Sequence, residues 1–212
     1  MRTMPAASTP KWNRLEPDER RTQILASAVR LFGDKPYAEV SMSDVAASAG
    51  VARGLIHHYI GSKRDLYIES VRFLVTVPPI EDVHLPTGSL EERARGSVHW
   101  LVGVIETHGT AWVSMASGSG VDEQVAQILD EADDLAAERV LEATAFDDSG
   151  GDRRIATSAV RAFGGMVKAA GREWLVRGAI TREQVETLLT DVLVTVLSTA
   201  ESMTSADNPE RT

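Results

Sequence analysis

Residues 40–67 constrain this chain more than any other stretch. Apolar residues recur there at helical spacing in two very short runs, Val40 to Gly50 and Arg53 to Ile60, separated by the break at Gly50-Val51. Helices this short do not persist alone in water, because nucleation costs more than a few backbone hydrogen bonds return. Both must therefore pack on each other and on longer neighbours. The inward positions of the first run are small, Ala46, Ala47 and Ala49, which permits close approach. Gly50 supplies left-handed backbone at the turn, and Val51 plugs the angle between the helices. Ser41 or Ser43 serves as N-cap of the first short helix.

The flanks provide the neighbours. Arg20 to Phe32 places Ile24, Leu25, Ala28, Leu31 and Phe32 on one stripe, after Pro17 and the acidic Asp18 and Glu19 that suit a helix start. Ser62 caps a helix from Lys63 to about Val77, with Leu66, Tyr67, Val71 and Leu74 inward, and Pro78-Pro79 ends it. The whole reads as a helix-turn-helix on a small bundle. Further on, Pro86-Thr87-Gly88 extends a linker and Ser89 with Glu92 matches a capping box for a helix to about His108. Trp112 to Ala116 is a short apolar piece, and Ser117 to Gly120 is a flexible loop. Asp122 to Phe146, Arg153 to Arg177 and Thr181 to about Ser202 are long helices, with a turn over Asp147 to Gly151. No β alternation and no internal repeat occurs.

The expected fold is therefore all-α, about nine helices. A disordered lead covers 1–17, a three-helix helix-turn-helix domain 18–64, a second helical domain 65–203, and a frayed tail 204–212. The helix over 63–77 is shared by both domains.

Charge is divided in the same way. Up to Val77 there are 11 Lys and Arg against 8 Asp and Glu, a net of +3; the remainder has 11 against 23, a net of −12. The first part can face phosphates, and the second is repelled by them. With 212 residues, no cysteine and no apolar run near the ~18 residues of a membrane span, the chain reads as cytoplasmic, without disulfides, thiolate metal sites or a membrane partner.

The second short helix exposes Arg53, His57 and His58, with Lys63 and Arg64 at the start of the next. A guanidinium can bond guanine bidentately in the major groove, and Lys63 at a helix start can donate to phosphate. His57 and His58 diverge by ~100° around a helix, which is wrong for a metal pair. Asp130, Glu131, Asp133 and Asp134 read as a solvated acidic face. No phosphate loop, dinucleotide glycine motif, nucleophile elbow or zinc helix occurs, so neither cofactor nor metal is expected and the chain is not read as an enzyme. The competing readings are a small all-helical metal-dependent or hydrolytic enzyme, and a DNA-binding architectural protein without a ligand.

The stretch from Arg21 to Val71 resembles the N-terminal domain of the TetR family of transcriptional regulators. The resemblance rests on Ile24, Leu25, Ala28, Leu31 and Phe32, then on Val45, Ala46, Ala49, Gly50, Val51, Gly54, Ile56, Tyr59, Lys63, Leu66 and Tyr67. It departs from the family at His57-His58, where an aromatic pair is usual, and at Ile60, where Phe is usual. The resemblance implies phosphate or groove-wall contacts at Ser41 and Ser43, base reading at Arg53, His57 and His58, and backbone clamps at Tyr59 and Lys63. It implies a homodimer on a pseudo-palindromic double-stranded operator, released by a small-molecule effector, most simply a repressor.

Trp, Met and His residues of the second domain are the pocket candidates: His99, Trp100, Trp112, Met115, Phe146, Phe163 and Met166. With few basic groups among them, they favour a neutral or weakly polar apolar molecule. The last two long helices offer more apolar face than one core uses, and Trp174, Leu189, Leu193 and Val196 are the expected dimer contacts.

Overall fold

The computed structural model of the protein describes residues 17–116, 122–146 and 153–206, and within them helix is the only regular structure apart from two short 3-10 turns. The lead before residue 17, the loop over 117–120, the turn over 147–151 and the end of the tail lie outside the described residues.

Helix α1 (Pro17–Asp34) turns Ile24, Leu25, Ala28, Val29 and Phe32 inward. A 3-10 turn at Tyr37–Glu39 leads to α2 (Met42–Ala49) and α3 (Arg53–Tyr59). Ser41, not Ser43, caps α2: its hydroxyl accepts from the Asp44 N–H at 3.1 Å while the Asp44 carboxylate accepts from the Ser41 N–H at 3.0 Å. Gly50 stands at φ 63°, and its N–H and that of Val51 close α2 onto Ala47 and Ala46.

Helix α4 (Lys63–Leu74) carries a capping box at Ser62 and Asp65. It stops three residues short of the expected Val77. The residue before a proline avoids the α region, so the turn ahead of Pro78 unwinds and Val75 and Thr76 are released. Helices α5 (Leu90–His108), α6 (Thr110–Ala116), α7 (Glu123–Ala143), α8 (Arg153–Leu175) and α9 (Arg182–Ala206) form the second domain. Helix α9 runs past the boundary expected at residue 203, because Thr204, Ser205 and Ala206 contain no breaker; the first proline is Pro209.

Helix α9 packs on α5 and α8, α8 also on α7, and α1 on both α4 and α6. The inward stripe of α9 is Val185, Leu189, Leu193 and Leu197, each fully or almost fully buried within the single protomer. This overturns the placing of Leu189 and Leu193 at a dimer seam: both belong to the protomer's own core. The acidic face of α7 is likewise more than solvated surface. Arg161 pairs with Asp130 and Asp134 at 2.5 and 3.0 Å, and Lys168 with Asp133 at 2.5 Å, lacing α7 to α8.

The two domains meet where α1 crosses α6. A Cβ built on Gly33 would lie 2.4 Å from both Cα and Cβ of Ala111, so only glycine allows this approach. Gly33→Ala should force the helices apart and cost about 1–3 kcal/mol in chemical denaturation. Gly103→Ala on α5, where a Cβ meets nothing within 4 Å, should be neutral or slightly stabilising in the same assay.

Candidate nucleic-acid interface and effector cavity

Helix α3 buries Ile56 completely and leaves Arg53, His57 and His58 exposed. Arg53 opens the helix, and Ser43 is exposed on the first turn of α2. The Ser41 hydroxyl is committed to its cap, donating to Asp44 at 2.7 Å, and that bond is the first cause of the lowered Asp44 pKa. Nδ1 of His57 lies 2.9 Å from the carbonyl oxygen of Gly61. A carbonyl only accepts, so Nδ1 carries a proton, and of the two neutral tautomers the bond selects the one with Nε2 as acceptor.

Tyr59 is half-buried, with its ring edge-on to His58 at 5.4 Å. Lys63 is also half-buried. Its ammonium donates to Ala38 O at 3.3 Å and sits 4.4 Å from the Tyr37 ring centroid. Tyr37 in turn meets Tyr67 edge-on at 5.1 Å. Lys63 thus ties the 3-10 turn to α4, with two ammonium protons left for a phosphate.

Sequence reasoning missed the role of Arg64. Rather than facing DNA with Lys63, its guanidinium forks onto Asp122, Nε to Oδ2 at 2.9 Å and Nη2 to Oδ1 at 3.0 Å, and reaches Gln124 at 3.2 Å. Asp122 is also the N-cap of α7. The start of α4 in the reading head is therefore bonded to the start of α7 in the second domain. The Arg64 hydrogen bond is the main reason the Asp122 carboxyl titrates below its ordinary value. No local pattern signals a pairing across 58 residues.

The other end of α4 borders a cavity of about 170 Å³. Leu74 at the end of α4 and Val75 just beyond it close one side, Pro78, Ile80, Val83 and Leu85 of the linker another, and α5, α6, α7, α8 and α9 supply the rest. Three of the expected pocket residues line it: Trp100, Trp112 and Phe163. Four do not. His99 is on the outer face, its Nδ1 2.9 Å from Glu186. Met115 borders a separate crevice beside Phe32 and Asp34. Phe146 is buried just beyond the end of α7, and Met166 packs half-buried on the core. Leu193, expected at the dimer seam, lines the cavity instead, as do Arg139 and Lys168. The expected residues were chosen by type, whereas the wall is set by which helix faces converge.

Residues 24–69 match the family described as bacterial regulatory proteins, tetR family. Over 56 residues the chain is 43% identical to the HTH-type transcriptional regulator BetI of Rhizobium meliloti, which covers 26% of this chain and 28% of that protein. Over 64 residues it is 38% identical to the HTH-type transcriptional activator FasR of Mycolicibacterium smegmatis, covering 30% and 29%. The matched part is thus under a third of these relatives' length. The fold extends further. A tetR-family transcriptional regulator from Streptomyces coelicolor superposes with a TM-score of 0.71 at 20% identity over 93% of each chain. A transcriptional regulator from Saccharomonospora viridis in complex with choline does so at 0.62 and 18%, over 83% of this chain and 95% of that one.

The Arg64–Asp122 tether gives a pH signature. Because the folded pKa of Asp122 is depressed, its contribution is present above the ordinary value of 3.8 and is lost as pH falls through the lower folded value. Denaturation curves of the native protein and Asp122→Asn should differ by a constant amount from pH 6 to 8. The difference should shrink as the solution is acidified below the usual carboxylate range.

Proposed function

We propose that this chain, whose residues 24–69 match the tetR family of bacterial regulatory proteins, is a DNA-binding transcriptional regulator of that family, a repressor released from its operator by a small apolar effector. The observation that carries this is the position of α4: its first turn is built into the reading head and its last turn closes an apolar cavity. A molecule entering the cavity bears on Leu74 and Val75 and on α7, which Arg64 and Asp122 connect back to the head. The effector acts by binding the DNA-incompetent arrangement more tightly, and DNA then weakens the effector by the same factor. One solved neighbour, from Saccharomonospora viridis, is itself in complex with a small molecule, choline.

Two heads are needed to read a pseudo-palindrome, in successive major grooves about 34 Å apart or a little more. The face available for pairing is the outward side of α8 and α9. Ala162, Gly165 and Ala169 are exposed on α8, and Leu188 and Thr195 on α9, with Val192, Val196 and Trp174 half-buried beside them. Small residues over two turns of α8 let a second copy approach closely, giving a four-helix seam. Such a regulator works in the cytoplasm, beside its DNA.

On α3, Arg53 suits guanine O6 and N7, whereas the outward Nε2 of His57 suits an amino donor, adenine N6 or cytosine N4. Ser43, Tyr59 and Lys63 set affinity through the backbone, and Ser41 holds α2 in place. His58, ~100° round the helix from His57, meets the groove wall.

Selection of duplexes from a random pool tests the reading. The native protein should enrich a palindromic consensus, and Arg53→Ala should lose choice at one base pair per half-site, at about 1–3 kcal/mol. No enrichment by the native protein would end the proposal; an unchanged consensus with Arg53→Ala would move Arg53 to the phosphates. Sedimentation tests the seam: Ala169→Arg with Thr195→Arg should give a folded monomer with collapsed operator affinity. Leu193→Glu should instead unfold the second domain, since it puts a charge into the protomer's core.

A further inference from the structure

Among the described residues, every one that lines the cavity lies in an α-helix except those of the segment joining α4 to α5. That segment is a strap one chain thick. Val77, Pro78, Ile80, Val83 and Leu85 are half-buried and line the cavity, whereas Pro79, Glu81, Asp82, His84 and Pro86 are exposed on its other side. The strap therefore stands between the cavity and water, apolar inward and mostly polar outward.

Its attachment is almost free of polar contacts. Over residues 77–88 the Asp82 N–H donates to Pro79 O and the Val83 N–H to Ile80 O, both at 3.1 Å and both within the strap; among the described residues no hydrogen bond ties this stretch to the surrounding helices. The helical walls differ, since α7 is laced to α8 by Lys168 and Asp133 and to α4 by Arg64 and Asp122. Two contacts seat the strap. Its 3-10 turn (Ile80–Asp82) packs on α7, where the charge of Glu81 is felt at Arg139. Its far end rests the Pro86 ring on the backbone of α5 at Gly96: a Cβ built there would lie 2.3 Å from Cδ and 2.6 Å from Cγ of Pro86. Neither Gly96 nor Pro86 lines the cavity.

Resting on the regulatory reading of this cavity, we propose that residues 75–88 are the gate through which the effector enters and leaves, hinged where α4 ends and latched by Pro86 on Gly96. Lifting the strap exposes a few half-buried apolar side chains but breaks no hydrogen bond to the rest of the protein, and its polar face stays in water throughout. Moving any helical wall disrupts packing along the whole helix and, for α7, its ion pairs as well. Entry and exit use the same opening. Weakening the latch in the closed state therefore speeds both and leaves affinity nearly unchanged. Because the strap continues directly from Leu74 and Val75, an occupant that keeps it from reseating acts first on the last turn of α4.

Fluorobenzene is a suitable probe, uncharged and of the single-ring size that a cavity of about 170 Å³ takes. Its association and dissociation rates with the full chain are read by fluorine exchange NMR. Gly96→Ala unseats Pro86 without touching the wall, and should raise both rates together, each about fivefold or more, with the dissociation constant within about twofold of the native value. Gly103→Ala makes the same exchange on the same helix, where the added Cβ meets nothing within 4 Å, and should change neither rate. Pro79→Gly, exposed on the outer side of the strap, loosens its other end and should raise both rates about threefold. Unchanged rates in folded Gly96→Ala or in Pro79→Gly, a weaker affinity carried by one rate alone, an equal effect of Gly103→Ala, or no bound signal from the native protein overturns the proposal. Should Gly96→Ala unfold, Pro79→Gly decides by the same criterion. No DNA enters these measurements, so palindrome enrichment by the native protein tests the regulatory reading separately.

Discussion

The close approach of α1 to α6 at Gly33 and Ala111 is the constraint on which the rest of this structure depends. Backbone meets backbone there, and a single methyl group would lie 2.4 Å from its neighbour. Since α1 also packs on α4, fixing α1 on the second domain fixes the whole reading head. The close seat makes the three-helix head and the larger domain one packed body rather than two beads on a linker. A perturbation in the cavity then has a rigid path to α3 instead of being absorbed by slack.

Helix α4 is that path. Twelve residues at 1.5 Å each make a lever of about 18 Å. Its middle residues Leu66, Ile68, Val71 and Leu74 are buried, so it cannot bend away from either domain cheaply. Its two ends differ in kind. At the cavity, the contacts of Leu74 and Val75 are apolar and depend on volume. At the head, Arg64 and Asp122 make a forked ion pair that is partly open to water, with 54% and 21% of the two side chains exposed. An exposed pair contributes little to stability but constrains direction, and it can be broken and remade without unfolding anything. That combination suits a switch whose two states must lie within a few kcal/mol of each other.

The local devices of this fold were legible in the sequence, and the global choices were not. Gly50 and the caps at Ser62 and Ser89 act within one helical turn, so nearest neighbours specify them. Helix α9 shows the opposite case. Leu188, Leu189, Val192, Leu193, Val196 and Leu197 form two apolar stripes about 100° apart, and both satisfy helical periodicity equally. Only the positions of α5 and α8 decide that Leu189, Leu193 and Leu197 turn into the protomer and Leu188 turns out. His99 fails for the same reason. It sits among apolar neighbours in sequence yet belongs to the outer face of α5, where Glu186 meets it. Arg64 read as a cation beside the reading helix, and its partner Asp122 is set by tertiary packing rather than by any motif.

The charge division acquires a structural meaning from the same packing. Some carboxylates of the second domain are paired locally where α7 meets α8, through Arg161 and Lys168, and the Lys168–Asp133 pair keeps unpaired charge out of the cavity wall. With every basic residue counted, residues 78–212 carry a net of −12 against +3 for residues 1–77. Under the proposed function this division would orient the protein on DNA before any base is read: the second domain is repelled, and the exposed face of α3 is turned toward the duplex. Repulsion of this kind reaches about 8 Å at physiological ionic strength, comparable to the depth of the major groove. It opposes binding in every register except those in which α3 enters the groove and the acidic domain stands clear of the phosphates. In the proposed regulator, selectivity between operator and bulk DNA would thus arise partly from residues that never touch DNA, and would weaken with added salt separately from the phosphate contacts themselves.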